Sequence, residues 1–240
     1  MTDKIANWYF KDLEQTTSTN DAVIDFLKQI KAPCILSAKI QTNGRGRLGR
    51  NWQSADGNLY VSFAYQIKHQ NLGHMAILSA LAVLKTLETL AQKNIFQIKW
   101  PNDVLAQNKK ISGILFENAF DDYWVMGIGI NIKKAPLLLN APYEATSLKD
   151  LGIITDRLSV LNKLVQNFDT LKTLYEEQGF ECIKKSWLDK AYNRDKRIII
   201  KQLNNKQSGI LKTLDDDGRL VIETPDGLKK IITGDVFNFE

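Results

Sequence analysis

Cysteine and histidine are scarce in this chain, and their scarcity removes several chemistries at once. Two cysteines (Cys34 and Cys182) and two histidines (His69 and His74) occur in 240 residues. Their spacing would gather neither a zinc set nor a redox pair. Both cysteines have apolar neighbours and read as reduced, buried or half-buried thiols. Neither a Ser/His/Asp hydrolase nor a zinc enzyme is expected. No apolar run approaches the roughly 20 residues that span a bilayer. The first twenty residues mix Asp3, Lys4, Lys11, Asp12 and Glu14 with no central apolar block, so no secretory signal is read there. Internal repeats and low-complexity tracts are also missing. The expected location is the cytoplasm, with no membrane partner.

What is present is an ordinary globular composition, 44% hydrophobic and 25% charged. It is long enough for one domain, or for a large domain with a small one. The net charge of +5, from 32 basic against 27 acidic residues, suits nucleic acid, an anionic cofactor or an acidic protein partner alike. Its distribution says more. Lys39, Arg45, Arg47 and Arg50 fall within twelve residues that contain no acid.

Apolar positions Ala22, Val23, Phe26, Leu27 and Ile30 recur at helical spacing after Ser18 or Thr19, either of which can cap the helix. Residues 34–40 read as a strand. So do residues 59–67, where Leu59, Val61, Phe63, Tyr65 and Ile67 alternate with Tyr60, Ser62, Ala64 and Gln66. A long buried helix is predicted over 73–92. A strand over 96–100 follows, cut by Pro101, then a hairpin of 104–106 with 110–117 and a strand over 123–132. Helical patterning returns over 159–178 and 181–192. Strands paired through hairpins, with helices grouped separately, predict an α+β fold rather than a βαβ series. The tail carries short strands over 197–202, 208–214, 219–223 and 229–233. Between them lie the turn signals Asn204-Asn205, Asp216-Asp217-Gly218 and Pro225-Asp226-Gly227. This pattern suits a small barrel, and a domain boundary is placed near residue 192.

The run Gly44-Arg45-Gly46-Arg47-Leu48-Gly49-Arg50 matches the dinucleotide pattern G-x-G-x-x-G letter for letter. That pattern requires a following helix whose N-terminus receives the pyrophosphate. Here the turn-rich run 51–58 leads instead to another strand, so the context excludes a Rossmann unit. The spacing keeps a physical meaning. Glycines allow close backbone approach, and alternating arginines offer guanidinium forks to carboxylate or phosphate oxygens. At an effective dielectric of 20, a cation about 4 Å from an anionic charge gains roughly 4 kcal/mol before desolvation. A carboxylate brought up to a triphosphate meets repulsion of that order, so several cations are needed together. Alone, the loop reads equally as a solvated basic turn or a nucleic-acid contact.

Three further runs are ambiguous singly. Lys99-Trp100-Pro101-Asn102-Asp103 reads as a turn or a site. Lys110-Ile111-Ser112-Gly113-Ile114-Leu115-Phe116-Glu117 is a strand whose Gly113 leaves room for a ligand. Gly127-Ile128-Gly129-Ile130-Asn131 is either a bulge or a flat pocket wall.

Taken in order with Ser18-Thr19-Asn20 and the run from Gln41 through the arginine loop to Trp52, these segments resemble the successive signature motifs of the biotin protein ligase catalytic domain. The resemblance covers essentially the whole chain. It implies a mixed β-sheet catalytic domain over residues 1–192, packed with helices in the manner of class II aminoacyl-tRNA synthetases, and a C-terminal SH3-like β-barrel over 193–240. Only about fifteen residues precede Ser18-Thr19-Asn20, too few for the DNA-binding module of some members, so no operator-binding role is expected.

The resemblance further implies ATP and biotin as substrates, with Mg²⁺ accompanying ATP. The acceptor would be a biotin carboxyl carrier protein or domain of a carboxylase. Ser18, Thr19, Asn20 and Gln41 would line the biotin site, and Gly44, Arg45, Gly46 and Arg47 would close over carboxylate and phosphate. Trp52 would pack near adenine, with Arg50, Asn102 and Asn131 on the nucleotide side. Lys110 would be the main electrostatic catalyst, assisted by Arg45, Arg47 and Asp103. Gly113, Leu115 and Gly129 would form the apolar wall. For Asn102 and Asp103, metal positioning, substrate orientation and deprotonation of the acceptor lysine remain alternatives. The loop 42–53 is expected to be mobile when empty, and the exposed edge of the sheet would support a homodimer. Two rival readings are a lipoate or octanoate ligase on a related fold and a non-catalytic nucleic-acid-binding protein.

Overall fold

The computed structural model describes residues 3–68, 72–136, 144–202 and 205–238. His69 and Asn204 lie outside the described residues. Two sheets organise the chain. The first has eight strands: β1 (Asp3–Ile5), β2 (Trp8–Thr16), β3 (Cys34–Gln41), β4 (Leu59–Gln66), β5 (Phe96–Lys99), β6 (Asp103–Ala106), β7 (Lys109–Phe120) and β8 (Tyr123–Ile130). They stand in the order β1-β2-β3-β4-β8-β7-β6-β5, with β2 and β3 parallel and the other neighbours antiparallel. The β6–β7 turn carries positive φ at both Gln107 and Asn108, the backbone that a tight two-residue hairpin demands.

Helix α1 (Thr19–Ile30) covers one face of this sheet, packing Val23, Phe26 and Leu27 against Cys34, Leu36, Ala64 and Val125. Helices α2 (Leu72–Ala91), α3 (Arg157–Gln178) and α4 (Phe180–Leu188) cover the other. On that side Trp8, Phe63, Tyr65 and Phe168 form one aromatic cluster, with Trp8 and Phe63 meeting edge to face at 5.4 Å. Because β4 is central, both of its faces are buried and only Gln66 is exposed. Leu59, Val61, Phe63 and Tyr65 belong to the large core, whereas Ser62 and Ala64 face α1. Helix α2 has the length and apolarity of a membrane span, but 67% of its apolar window is buried within the protein.

The second sheet is antiparallel, in the order β12-β11-β10-β9-β13. It comprises β9 (Arg197–Lys201), β10 (Lys206–Leu214), β11 (Leu220–Thr224), β12 (Gly227–Ile231) and β13 (Asp235–Asn238). This is the expected small C-terminal SH3-like unit with one more strand than the sequence suggested. Strand β13 is too short to show alternation and owes its place to pairing with β9. The β1–β2 hairpin was also not anticipated, since Lys11, Asp12 and Glu14 interrupt its apolar pattern. Helix α4 stops at Leu188, earlier than expected. Ala191 and Tyr192 bridge to Ile98 instead, where the Tyr192 amide donates to the Ile98 carbonyl at 2.8 Å.

One ion pair ties α3 to the parallel strands. Arg157 donates twice to Asp12 at 2.6 Å, and Ser37 donates to the same carboxylate at 2.5 Å. Burial pushes the Asp12 pKa up. The hydrogen bonds from Arg157 and Ser37 and the Arg157 charge outweigh it and hold the carboxyl below its ordinary 3.8. A depressed folded-state value means that the unfolded chain binds more protons in this window. The stabilisation is thus complete above about pH 5 and disappears as the pH falls through the folded-state value. Asp12→Asn is expected to lower stability by about 1 kcal/mol at neutral pH. In urea titrations the gap from wild type should shrink as the pH falls below 3.8; a gap that does not shrink on acidification would contradict this.

Candidate active site

The floor of the site is built from glycines. In the β7–β8 register Gly113 faces Gly129 and Leu115 faces Gly127, without a bulge at these positions. The double glycine is therefore a flat wall. A Cβ on Gly127 would come within 2.3 Å of Asn20 Oδ1. On Gly129 and Gly113 it would meet the Trp52 indole at 2.5 and 2.8 Å. Glycine is needed here for room.

Against this floor the first turn of α1 delivers Ser18, Thr19 and Asn20, which are 3%, 4% and 4% exposed. Ser18 is the N-cap residue, yet its side chain makes no capping bond. Thr19 donates from both its amide (2.8 Å) and its hydroxyl (3.0 Å) to Gln41 Oε1. Asn20 Nδ2 donates to Glu117 Oε2 at 2.6 Å. Behind them, the Ser62 hydroxyl lies 2.5 Å from Asn20 Oδ1 and 2.8 Å from Thr19 Oγ1. This fully buried serine fixes which way the Asn20 amide points.

The arginine loop is pinned by backbone bonds. The Trp52 amide donates to the Gly44 carbonyl at 2.9 Å and the Gly46 amide to the Arg50 carbonyl at 2.7 Å. At Gly44 a Cβ would sit 2.7 Å from the Trp52 carbonyl oxygen, so that closure requires glycine. Leu48 adopts a left-handed φ of 56° at the loop tip. Each arginine has a separate set of partners. Arg45 donates twice to Asp21 at 2.7 Å and once to Glu117 at 3.2 Å, and the Asp21 hydrogen bonds drive its pKa up. Arg47 reaches Asn102 Oδ1 at 3.1 Å, Thr233 Oγ1 at 3.2 Å and the Gly234 carbonyl at 3.4 Å. Burial lowers its pKa, and the charges of Asp235 and Asp103 oppose that shift. Arg50 meets Asp235 at 3.0 Å.

Lys110, at the start of β7, lies 2.6 Å from Asp103 and 5.4 Å from the Trp52 ring centroid. The Lys110 and Asp103 side chains are 13% and 15% exposed. Asn102 is locked across the strands, donating to the Ile114 carbonyl at 2.7 Å. Asn131 donates to the Thr146 carbonyl at 3.0 Å. Lys99 is half-buried, and this desolvation lowers its pKa.

Most of these groups line one solvent-open cleft of about 960 Å³, and Lys99 lines a smaller one beside it. Every residue singled out from the sequence lines the larger cleft except Gly44, which acts through the loop backbone. Trp52 lies directly on Gly113 and Gly129, so the expected adenine platform and apolar wall are one surface. Sequence reasoning missed Asp21, Ser62 and Asp235. Asp21 follows the Ser-Thr-Asn run directly, and Ser62 is the polar residue inside an apolar strand; both were visible signals. Asp235 has no local signal.

One end of the cleft is polar and hydrogen-bonding, the middle is flat and glycine-floored, and the other end gathers Arg47, Arg50, Lys99 and Lys110 against Asp103 and Asp235. That arrangement suits a neutral polar head joined to an anionic group, with a phosphorylated ligand beside it. Among the described residues no nucleophile–histidine pair faces it. His74 is engaged elsewhere by Tyr175 and Asp216, and burial pushes the Cys34 thiol up to about 12. Among the described residues no group of three histidine, cysteine or acidic side chains could hold a metal ion.

The pattern of the biotin/lipoate A/B protein ligase family matches residues 13–131, and that of the biotin protein ligase C-terminal domain matches residues 195–237. A biotin protein ligase from Aquifex aeolicus, solved with biotin and ATP, superposes with a TM-score of 0.85. It is 31% identical, over 95% of this chain and 97% of that one. The biotin–[acetyl-CoA-carboxylase] ligase of Paracoccus denitrificans is 28% identical over 94% of this chain and 98% of its own length. The bifunctional ligase/repressor BirA of Bacillus subtilis is 34% identical over 84% of this chain, which spans 65% of that protein's length.

Proposed function

The chain belongs to the biotin protein ligase family, and from that premise we propose that it activates biotin with ATP and transfers it to a lysine of a biotin carboxyl carrier protein or domain. The observation that carries this reading is the continuity of the cleft from the Ser18–Asn20 turn, over the glycine floor, to the Lys110 and arginine cluster. In the first step a biotin carboxylate oxygen attacks the α-phosphorus of ATP. The bond to the bridging oxygen of the β-phosphate breaks, leaving biotinyl-5′-AMP and pyrophosphate. In the second the neutral amine of the acceptor lysine attacks the acyl carbon, AMP departs and the amine loses its proton.

Neither step needs a nucleophile from this chain, which supplies position and charge. Ser18, Thr19, Asn20 and Gln41 hold the ureido head, while Gly113, Leu115 and Gly129 line the apolar part. Gly46, the backbone of Gly44 and the Arg45 segment form the lid. Lys110 neutralises the carboxylate and α-phosphate as they meet, and Asp103, its ion-pair partner, orients it. Arg47, Arg50, Asn102 and Asn131 serve the nucleotide, which arrives as its Mg²⁺ complex, with Trp52 against the base. Residues 1–192 would be the catalytic domain and 193–240 the accessory one, acting in the cytoplasm. A homodimer through a sheet edge would double the sedimenting mass when biotin and ATP are present.

Incubating the protein with Mg²⁺·ATP and either biotin or lipoate tests the reading. Biotinyl-5′-AMP is expected. Lipoyl-5′-AMP alone would move the chain to the lipoate side of the family, and no acyl-adenylate would overturn the assignment.

A further inference from the structure

The C-terminal sheet shares the large apolar core with the rest of the chain and also meets it through polar contacts, both away from the cleft and at it. Away from the cleft, Gly73 packs on the Asp217 carbonyl, and His74 bridges Tyr175 and the Asp216 carbonyl while stacking on Phe180 at 3.9 Å. At the cleft the contact is ionic. Asp235, the first residue of β13, is paired across to Lys201 in β9, so its backbone is set by the sheet. Its carboxylate lies 3.0 Å from Arg50 and 3.6 Å from Arg47. It borders both the main cleft and a smaller adjoining one lined by Lys99, Trp100 and Phe237.

Two guanidinium groups converging on one end of a cleft repel each other, and a fixed anion between them offsets that repulsion. The arginines depend on it unequally. Arg47 keeps three neutral acceptors, in Asn102, Thr233 and the Gly234 carbonyl. Among the described residues, Arg50 donates to the carbonyl of Arg47 and to Asp235 and to no other acceptor. The other charged groups at this end are Lys99, Lys110 and Asp103, and Asp103 lies on Lys110.

We infer that Asp235 is a positioning residue, a carboxylate delivered by the C-terminal sheet that holds Arg50 and Arg47 side by side for the nucleotide phosphates. The identity of the ligand rests on the ligase reading; the latch itself does not. The role follows from geometry, since the loop alone has no acid with which to gather its own cations. It also makes the small sheet part of the nucleotide end of the cleft.

Four variants of the full chain test this: the singles Asp235→Asn, Asp235→Glu and Arg50→Ala, and the double Arg50→Ala/Asp235→Asn. In Asp235→Asn the apparent KM for ATP in biotin-dependent ATP–pyrophosphate exchange should rise about fivefold, as expected for a partly exposed ion pair. The kcat and the KM for biotin should stay within about twofold, a split that general loosening would not produce. Asp235→Glu should recover most of the loss. The double variant should fall short of the summed losses of the two singles, because both remove the Arg50–Asp235 pair and only the Arg47 contact remains for Asp235→Asn to weaken. Without any ligand, trypsin should cut after Arg50 faster in Asp235→Asn than in wild type. Wild-type cleavage in a folded Asp235→Asn protein, or additive losses in the double, would overturn the proposal. If the cleavage difference appears but wild type forms no acyl-adenylate, the latch stands and the ligase reading falls.

Discussion

Lys110→Ala is expected to reduce biotinyl-adenylate formation by at least about 100-fold, the loss typical when a preorganised charge is removed from a developing anionic centre. Lys110 is held at the start of β7, 2.6 Å from Asp103, with its ammonium over the Trp52 ring at 5.4 Å from the centroid. Its ammonium sits where the polar pocket and the arginine cluster meet. The substitution also leaves Asp103, only 15% exposed, without its counter-ion, which should destabilise the fold by about 1–3 kcal/mol. A double variant separates the two effects. Lys110→Ala/Asp103→Asn should regain much of the thermal stability and none of the activity. Biotin-dependent exchange of labelled pyrophosphate into ATP measures the first quantity and thermal unfolding the second. Exchange at the wild-type rate in Lys110→Ala would remove Lys110 from the mechanism.

Gly127→Ala should act at the opposite end of the cleft. The added methyl would lie 2.3 Å from Asn20 Oδ1, well inside contact distance. The Asn20 amide has little freedom to yield, being 4% exposed and tied to Ser62 and Glu117. Either it turns, or α1 moves away from β8. Both outcomes disturb the Ser18–Asn20 turn proposed to hold biotin, so biotin affinity should fall by about 10- to 100-fold, or roughly 1.4–2.8 kcal/mol. The Arg50–Asp235 end of the cleft is untouched, so ATP affinity should stay within about twofold. Calorimetric titration of each substrate distinguishes these effects. Unchanged biotin binding in the variant would show that the Ser62–Asn20–Glu117 network is not what positions this turn.

Much of the fold was legible because it rests on local pattern. The helical spacing of residues 22–30 encodes the face that α1 buries, and the apolarity of 73–92 a helix buried along much of its length. The alternation of residues 59–67 marks the side of β4 that joins the large core, although its other face is buried as well. The failures share a cause. The β1–β2 hairpin and β13 are short or charge-interrupted, and they exist because a neighbouring strand offers hydrogen bonds. The end of α4 was overestimated because the Lys190 carbonyl and the Tyr192 amide bond to Ile98 rather than continuing the helix.

The arginine loop divides in the same way. Its sequence alone determined that glycines would let the chain close on itself and that a cluster of cations with no neighbouring acid would face an anion. Its context excluded a dinucleotide fold. What the sequence could not determine is which acid meets which arginine. Arg45 is met by Asp21 and Glu117, and Arg50 by an aspartate 185 residues away on another sheet. Glycine spacing and helix periodicity are set by covalent neighbours. Charge pairing is set by distance in space, which only the packing of α1, β7 and β13 around the loop decides.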